Sequence, residues 1–147
     1  MSDTSPVVAP DLPLDADDEA LIAAARSVIT AHHRPFWHTV AAAIRSRDGR
    51  IWTGVHLGAT VGRLAICAEP IALARAILEG DGTMAVGVAV RHRKPEEAAG
   101  DPDIVSPCGA CRELLMDYAP DAWVIMPSPT GPVKRPVRAL LPDPYRR

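Results

Sequence analysis

The chain has 147 residues, which is the length of one ordinary domain and too short for two full ones. Apolar residues make up 48% of it, which excludes a disordered chain, and the formal net charge of −2 argues against a general nucleic-acid binder. Because no apolar run is long enough for a membrane span and the N-terminus lacks the pattern of a secretory signal, we expect a cytoplasmic protein with neither nucleic acid nor membrane as partner.

The first predicted element is a helix that follows a proline-containing segment. Residues 1–14 contain three prolines and no apolar periodicity, which predicts a flexible N-terminal arm ahead of one folded domain over residues 15–147. From Asp15 to about His32, apolar residues recur at helical spacing. Acidic side chains in the first turn suit a helix start, because anions favour the positive end of the helix dipole.

A hairpin is predicted next. Small apolar residues indicate a strand over 39–45, and residues 50–55 indicate its partner. Between them, Asp48-Gly49 is a strong turn signal, because glycine adopts positive φ without steric cost. The later elements alternate between helix and strand, which is typical of a layered α/β fold with a mixed sheet. They are helices over about 68–79, 111–118 and 137–141, strands over 84–90 and 122–126, a long loop at 92–104 and a turn region at 127–136.

Three cysteines suggest the chemistry. Cys67 lies at the predicted start of one helix, and Cys108 and Cys111 lie near the predicted start of another. An odd number of cysteines cannot all pair, and clustered cysteines in a reducing compartment more often indicate metal binding or catalysis. Catalytic zinc sites use three protein ligands and leave the fourth position to water. Three cysteines with no fourth nearby therefore fit an open zinc site.

Glu69 lies two residues after one candidate ligand. This spacing places the carboxylate near the metal without making it a ligand, where it can take a proton from activated water and deliver it to a substrate. Zinc deaminases, including those with three cysteine ligands, have this arrangement.

Five segments occur in the order found in one protein family. They are His38-Thr39-Val40-Ala41-Ala42, Gly49-Arg50-Ile51-Trp52-Thr53-Gly54-Val55, Cys67-Ala68-Glu69, Ser106-Pro107-Cys108-Gly109-Ala110-Cys111-Arg112 and Leu140-Leu141-Pro142. Through them the chain resembles the cytidine deaminase family, in the small homo-oligomeric branch that includes blasticidin-S deaminases. The resemblance covers roughly residues 15–147, and the cysteine segments are its most specific part.

The resemblance implies a three-layer α/β/α sandwich with a mixed five-stranded sheet. It implies that Cys67, Cys108 and Cys111 hold Zn²⁺ and that Glu69 is the proton shuttle. The implied reaction is hydrolytic deamination of a cytosine-like nucleoside or base, with release of ammonia. The family also implies a homo-oligomer, either a tetramer or a dimer, with sites formed between subunits.

The candidate substrate contacts depart from the family pattern. Where family members usually hold the ribose with Asn-x-Glu after the second strand, this chain has His56-Leu57-Gly58. His38 stands in place of a stacking aromatic, the Ala68 backbone N–H would meet the ring carbonyl, and Tyr145 is similar to the C-terminal aromatic of the blasticidin-S branch. Losing a buried polar contact to the ribose costs about 1–3 kcal/mol, so we expect ordinary cytidine to be a poor substrate.

Several functions remain open at this level. Cytidine or deoxycytidine is the usual substrate of the family, and a cytosine-containing antibiotic such as blasticidin S, or another aminopyrimidine, is the alternative. A zinc-stabilised binding module without catalysis and a thiol redox protein using Cys108 and Cys111 are alternatives of other classes. Turnover on a panel of aminopyrimidines would exclude the module, and bound metal would exclude the redox protein.

Overall fold

The structure is a computed structural model that describes residues 9–147. It contains a mixed sheet of six strands with helices on both faces. In chain order the strands are β1 Val40–Arg45, β2 Ile51–Val55, β3 Val86–Arg91, β4 Asp103–Val105, β5 Trp123–Met126 and β6 Val133–Pro136. The helices are α1 Ala16–His32, α2 Ala68–Glu79, α3 Gly109–Tyr118 and α4 Val137–Leu140, with a 3₁₀ turn at Gly62–Leu64. The predicted α/β fold is confirmed.

The strands follow the order β2-β1-β3-β5-β6. β1 is antiparallel to both of its neighbours, β3 is parallel to β5, and β6 is antiparallel to β5. The edge of β3 that faces away from β1 has two partners. β5 pairs with its beginning at Val86 and Gly87, and the short β4 pairs with its end from Ala89 to Arg91.

The strand count of five was wrong, because the sheet has six strands. β4 lies at the end of the predicted loop 92–104, and β6 lies in the predicted turn region 127–136. β4 has only three residues, too few to show a periodic pattern. β6 contains Lys134, Arg135 and Pro136, which are residue types that strands use mainly at sheet edges. In both segments, pairing with a neighbouring strand outweighs weak local propensity.

The described end of the predicted N-terminal arm is attached to the sheet. Residues 1–8 lie outside the described residues. Leu12 and Lys134 exchange two backbone hydrogen bonds of 2.8 Å each, and the Asp11 carboxylate binds the Arg135 guanidinium through bonds of 2.8 and 2.9 Å. Residues 11 and 12 are therefore fixed against β6 by pairing that the proline-containing sequence did not indicate.

Helices cover the two faces of the sheet because side chains alternate along each strand. Ala41 and Ala43 of β1 pack with α1, whereas Ala42 and Ile44 pack with α2, α3 and α4. The apolar face of α1 consists of Leu21, Ile22, Ala25 and Ile29. This arrangement confirms the three-layer sandwich. Within residues 9–147, no helix is both long and apolar enough to cross a membrane.

The start of α1 is fixed by charge as well as by apolar packing. Asp15 is the N-cap, and it exchanges side-chain-to-backbone bonds of 3.0 Å with Asp18. Asp18 is fully buried, and its carboxylate meets Arg45 of β1 at 3.2 Å and Lys134 of β6 at 2.8 Å. One carboxylate thus connects α1 to two strands that β3 and β5 separate in the sheet.

Candidate metal centre and catalytic site

The three cysteines lie at the N-termini of two helices. Cys67 is the N-cap of α2, Cys108 is the N-cap of α3, and Cys111 lies in the first turn of α3. Leu57 and Ile66 exchange two backbone bonds of 2.9 and 3.0 Å, which returns the chain to the end of β2 just before α2 begins. β4 ends three residues before Cys108, so the sheet positions both helix starts.

The sulfur atoms of Cys67, Cys108 and Cys111 all lie within 4.8 Å of one another. The Cys67 and Cys108 sulfurs are 3.4 Å apart, and the Cys111 backbone N–H donates to the Cys108 sulfur at 3.4 Å. Four ligands around Zn²⁺ at about 2.3 Å are separated by about 3.8 Å. The three-sulfur set therefore fits the size and ligand preference of zinc. Across residues 9–147, it is the one group of three or more His, Cys or acidic side chains arranged to hold a metal ion.

The thiols have unequal acidities. Burial raises the pKa of the Cys67 thiol to about 11, and burial together with the Glu69 carboxylate raises the pKa of Cys111. Burial also acts against ionisation of Cys108, but its pKa is lowered by the Cys111 backbone N–H and by the neighbouring thiols. Three thiolates this close repel one another, and a divalent cation bound between them would offset that repulsion.

Glu69 lies against the cysteines. Its Oε2 accepts a hydrogen bond from the Cys111 thiol at 3.4 Å. Glu69 also lines a small cavity whose other walls include Ala42, Ala89 and Pro107. Burial raises the pKa of Glu69, and bonds from its own backbone N–H and from Cys111 only partly oppose this shift. A raised pKa moves the carboxyl group toward neutral pH, where it can exchange protons efficiently.

Gly54 determines how closely α2 approaches the sheet. A Cβ added at Gly54 of β2 would lie 2.6 Å from the Ala72 backbone nitrogen and 2.7 Å from the Ala68 carbonyl oxygen. No side chain fits between this strand and the first turns of the helix. Sequence reasoning missed this role, although a glycine inside a strand is a known signal of close backbone approach.

Replacing Gly54 with Ala is therefore expected to displace the N-terminus of α2, and Cys67 and Glu69 with it. We expect a loss of about 1–3 kcal/mol in the free energy of unfolding, as is typical of overpacking, together with weaker zinc retention. Denaturant unfolding and metal content measure the two effects. Gly62→Ala is the matched control, because a Cβ there meets nothing within 4 Å. Equal behaviour of the two variants would contradict the role assigned to Gly54.

Arg112 holds the second cysteine segment in place. Its Nε donates to the Pro107 carbonyl at 2.9 Å, and its Nη1 donates to the Leu140 carbonyl at 3.2 Å. The guanidinium thus joins the residue before Cys108 to the end of α4. Both of these bonds go to backbone carbonyl oxygens.

The candidate substrate residues divide into two groups. Ala68 is buried as the first residue of α2, and His38 and His56 are joined by a 2.9 Å bond between the His38 Nδ1 and the His56 carbonyl. Tyr145, in contrast, is 84% exposed in the C-terminal segment.

The substitution at Gly58 has a structural reason. The Gly58 backbone N–H donates to the Trp37 carbonyl at 2.8 Å, and an added Cβ at Gly58 would overlap the Phe36 carbonyl oxygen. Phe36 itself has a φ of 70°, in the left-handed region. The loop before β1 thus occupies the space that a side chain at position 58 would need.

The chain is similar to known proteins in both sequence and fold. A family model described as the cytidine and deoxycytidylate deaminase zinc-binding region matches residues 15–127. Blasticidin-S deaminase from Bacillus cereus is 39% identical over 134 residues, covering 91% of this chain and 96% of that protein. Cytidine deaminase from Halalkalibacterium halodurans is 30% identical over 109 residues, covering 72% of this chain and 76% of that protein. The crystal structure of cytidine deaminase from Mycobacterium leprae has a TM-score of 0.70 at 27% identity, covering 88% of this chain and 100% of that chain.

Proposed function

The chain belongs to the cytidine and deoxycytidylate deaminase family, and from this membership we propose how its own residues deaminate a cytosine-bearing small molecule. As a member, it is a zinc-dependent hydrolase of cytidine-like substrates. The observation that carries the residue assignment is the convergence of three sulfurs beside one buried carboxyl group. Neither a redox protein nor a binding module requires that carboxyl group.

In this proposal, Cys67, Cys108 and Cys111 hold the zinc ion. When bound, zinc lowers the pKa of a water molecule and so supplies a nucleophile at neutral pH. The helix N-termini support the thiolates, because their backbone N–H groups and dipoles favour negative charge. The Cys111 N–H that donates to the Cys108 sulfur is one such group.

Glu69 carries the protons. Its carboxylate takes a proton from the attacking water while the water oxygen bonds to the amino-bearing ring carbon. The same carboxyl group gives that proton to the ring nitrogen. It then takes the second proton from the hydroxyl group now on the ring carbon and gives it to the amino group, so that the carbon–nitrogen bond breaks, ammonia leaves and a ring carbonyl remains. The raised pKa of Glu69 supports this role, because a carboxyl group whose pKa lies nearer to neutral pH can both take up a proton and give it back.

The proposed substrate is a free nucleoside or base that contains cytosine, with cytidine and deoxycytidine as first candidates. Blasticidin S is the second candidate. Two observations favour it: the 39% identity to a blasticidin-S deaminase, and the absence of room for any side chain at Gly58. A carboxylate that accepts hydrogen bonds from a ribose cannot be present at that position.

We expect the purified protein to contain about one zinc ion per chain and to release ammonia from at least one member of a small panel. The panel consists of cytidine, deoxycytidine, cytosine and blasticidin S. Turnover of each compound is measured by its change in ultraviolet absorbance. Zinc-loaded protein that turns over no member of this panel would overturn the substrate proposal and favour a binding module.

We also propose that the chain forms a homo-oligomer, a tetramer or a dimer, with the site at a subunit interface. Several large apolar side chains near the Cys67 segment are exposed, with Leu64 at 63%. The others are Phe36, Leu57, Val61 and Ile66. Exposed apolar patches of this kind favour protein association. Tyr145, exposed in one chain, would then be free to contact a neighbouring subunit.

Light scattering coupled to size-exclusion chromatography tests this assembly. We expect the mass of four chains, or of two, and a shift toward the single chain in Leu64→Glu, because a charge at an apolar interface is costly to bury. Ala74→Glu, at an exposed position on α2, is the control for added charge. A wild-type protein that is monomeric at micromolar concentration would contradict the assembly.

A further inference from the structure

The C-terminal end of α1 borders a cavity that takes no part in the proposed reaction. Its volume is about 380 Å³, which is within the range of small-molecule sites. His33, the C-cap of α1, lines one wall, and the residues that follow β3 line another. α1 covers the face of the sheet opposite to α2 and α3, and neither Glu69 nor any of the three cysteines lines the cavity. The cavity is therefore separate from the candidate zinc site.

Two stacked imidazole rings form part of the wall. The ring centroids of His33 and His92 are 3.5 Å apart, and the two planes differ by 7°. His92 Nδ1 lies 2.7 Å from the Arg93 carbonyl oxygen, which can only accept, so Nδ1 carries a proton and Nε2 of the neutral ring has a lone pair. Burial, reinforced by the neighbouring His92, lowers the pKa of His33. The His33 ring is therefore neutral at pH 7 and gains its charge only in mildly acidic solution.

The charged groups around the imidazole pair leave one cation in excess. Arg91 and Arg93 both line the cavity, but Arg91 binds Glu97 at 2.9 and 3.1 Å, and both arginines bind Asp103. Two cations and two carboxylates thus cancel. The third cation of the lining, Lys94, makes no ion pair within residues 9–147, and no carboxylate in that part of the chain lines the cavity.

The remaining walls are apolar and fixed in position. Pro35 and Pro95 line the cavity beside the imidazole rings. The Glu97 backbone N–H donates to the Lys94 carbonyl at 3.0 Å, which closes a turn around Pro95. On the α1 side, Arg34 follows His33 and lies over the Trp37 ring at 5.4 Å, so it adds a further cation. Apolar walls with an excess of positive charge suit an organic anion.

We propose that this cavity is a second ligand site, which binds a small organic carboxylate with its charged group toward Lys94 and its apolar body against the prolines and the imidazole pair. The proposal goes beyond the deaminase function and does not depend on it. A proton taken up by the imidazole pair adds positive charge beside the carboxylate, so ligand binding and proton uptake favour each other. The affinity for the ligand therefore rises as the pH falls below about 6.5, the ordinary pKa of histidine.

Nuclear magnetic resonance of the His33 and His92 ring protons in the zinc-loaded full chain tests the site. The probes are benzoate, acetate, which has the charge but no ring, and benzyl alcohol, which has the ring but no charge. Benzoate should shift both signals saturably, with a Kd at least about tenfold lower than that of acetate, because its ring buries apolar surface. Benzyl alcohol should shift neither signal. His33→Phe and His92→Gln assign the signals by their loss.

Two variants test the charges. Lys94→Gln is expected to raise the Kd of benzoate about two- to fivefold, as for other partly exposed ion pairs. Arg47→Gln, which removes an exposed cation elsewhere on the surface, is the matched control and should bind like wild type. Lowering the pH from about 7.5 to about 5.5 should tighten binding to the wild type at least about twofold, although benzoate stays ionised throughout. In His33→Phe, which keeps a ring on His92 but takes up no proton there, this gain should be smaller.

Three results would each overturn the proposal. They are a benzoate titration that shifts neither histidine, a Kd for acetate or benzyl alcohol equal to that of benzoate, and a Lys94→Gln variant that binds benzoate as the wild type does. None of these measurements uses turnover. A protein that binds benzoate in this way and deaminates nothing would fail the proposed function and keep the second site, and the converse result is equally distinct.

Discussion

The Glu69→Gln variant is expected to release essentially no ammonia from any substrate of the wild type while keeping the wild-type zinc content. The amide has nearly the shape of the carboxylate but cannot take a proton from water or deliver one to the ring. A positioned general acid–base group contributes roughly 10²- to 10⁴-fold, and Glu69 acts in more than one transfer, so we expect a loss at or beyond the upper end of that range. Steady-state kcat and metal analysis of the same sample measure both quantities.

Glu113→Gln provides the matched control, because Glu113 is an exposed carboxylate on the helix that carries Cys111. It should retain both zinc and turnover. Full turnover by Glu69→Gln would remove Glu69 from the mechanism. Loss of zinc together with activity would instead show that the carboxylate supports the metal site, contrary to its assignment as a proton carrier.

The Asp18→Ala variant is expected to lose about 3–5 kcal/mol in the free energy of unfolding, which is more than we expect for Gly54→Ala. Asp18 is fully buried, and Arg45 and Lys134, which are 16% and 12% exposed, both pair with it. Removing the carboxylate leaves two cations with little access to water. The Arg45 Nη1 atom already lacks a hydrogen-bond partner among the described residues.

Denaturant unfolding at equal protein and zinc concentration measures this loss, since binding and assembly also change apparent stability. Asp17→Ala is the control, because Asp17 is an exposed neighbour in the same helical turn, and it should change stability by less than about 1 kcal/mol. A change of that small size for Asp18→Ala as well would show that the buried pairs contribute little. Neither variant should alter kcat in the folded protein.

The elements that the sequence predicted well are those with local signals. Pro70 in the first turn and Gly80 after the last residue bound α2, and the observed helix begins and ends at the predicted residues. Gly49 has a φ of 89° in the predicted hairpin turn. The convergence of the three cysteine sulfurs was predictable for a similar reason, because zinc chemistry restricts ligand type and number so strongly.

The features that the sequence did not predict depend on distant partners. β4 and β6 exist because β3 and β5 offer free edges, and neither strand has a pattern of its own. The bond from Thr39 to His56 and the close approach of Phe36 to Gly58 join segments separated by about 20 residues. These contacts become visible only when the loop before β1 is seen against the end of β2.

The attachment of Leu12 to Lys134 has a consequence for the behaviour of the molecule in concentrated solution. β6 is the last strand of the sheet, and its outer edge would otherwise offer open backbone groups to another chain. Leu12 occupies two of those groups, and the Asp11–Arg135 pair adds charge beside them. A chain that began at residue 15 would leave this edge of β6 exposed. Asp11 and Leu12 therefore protect the fold against edge-to-edge aggregation.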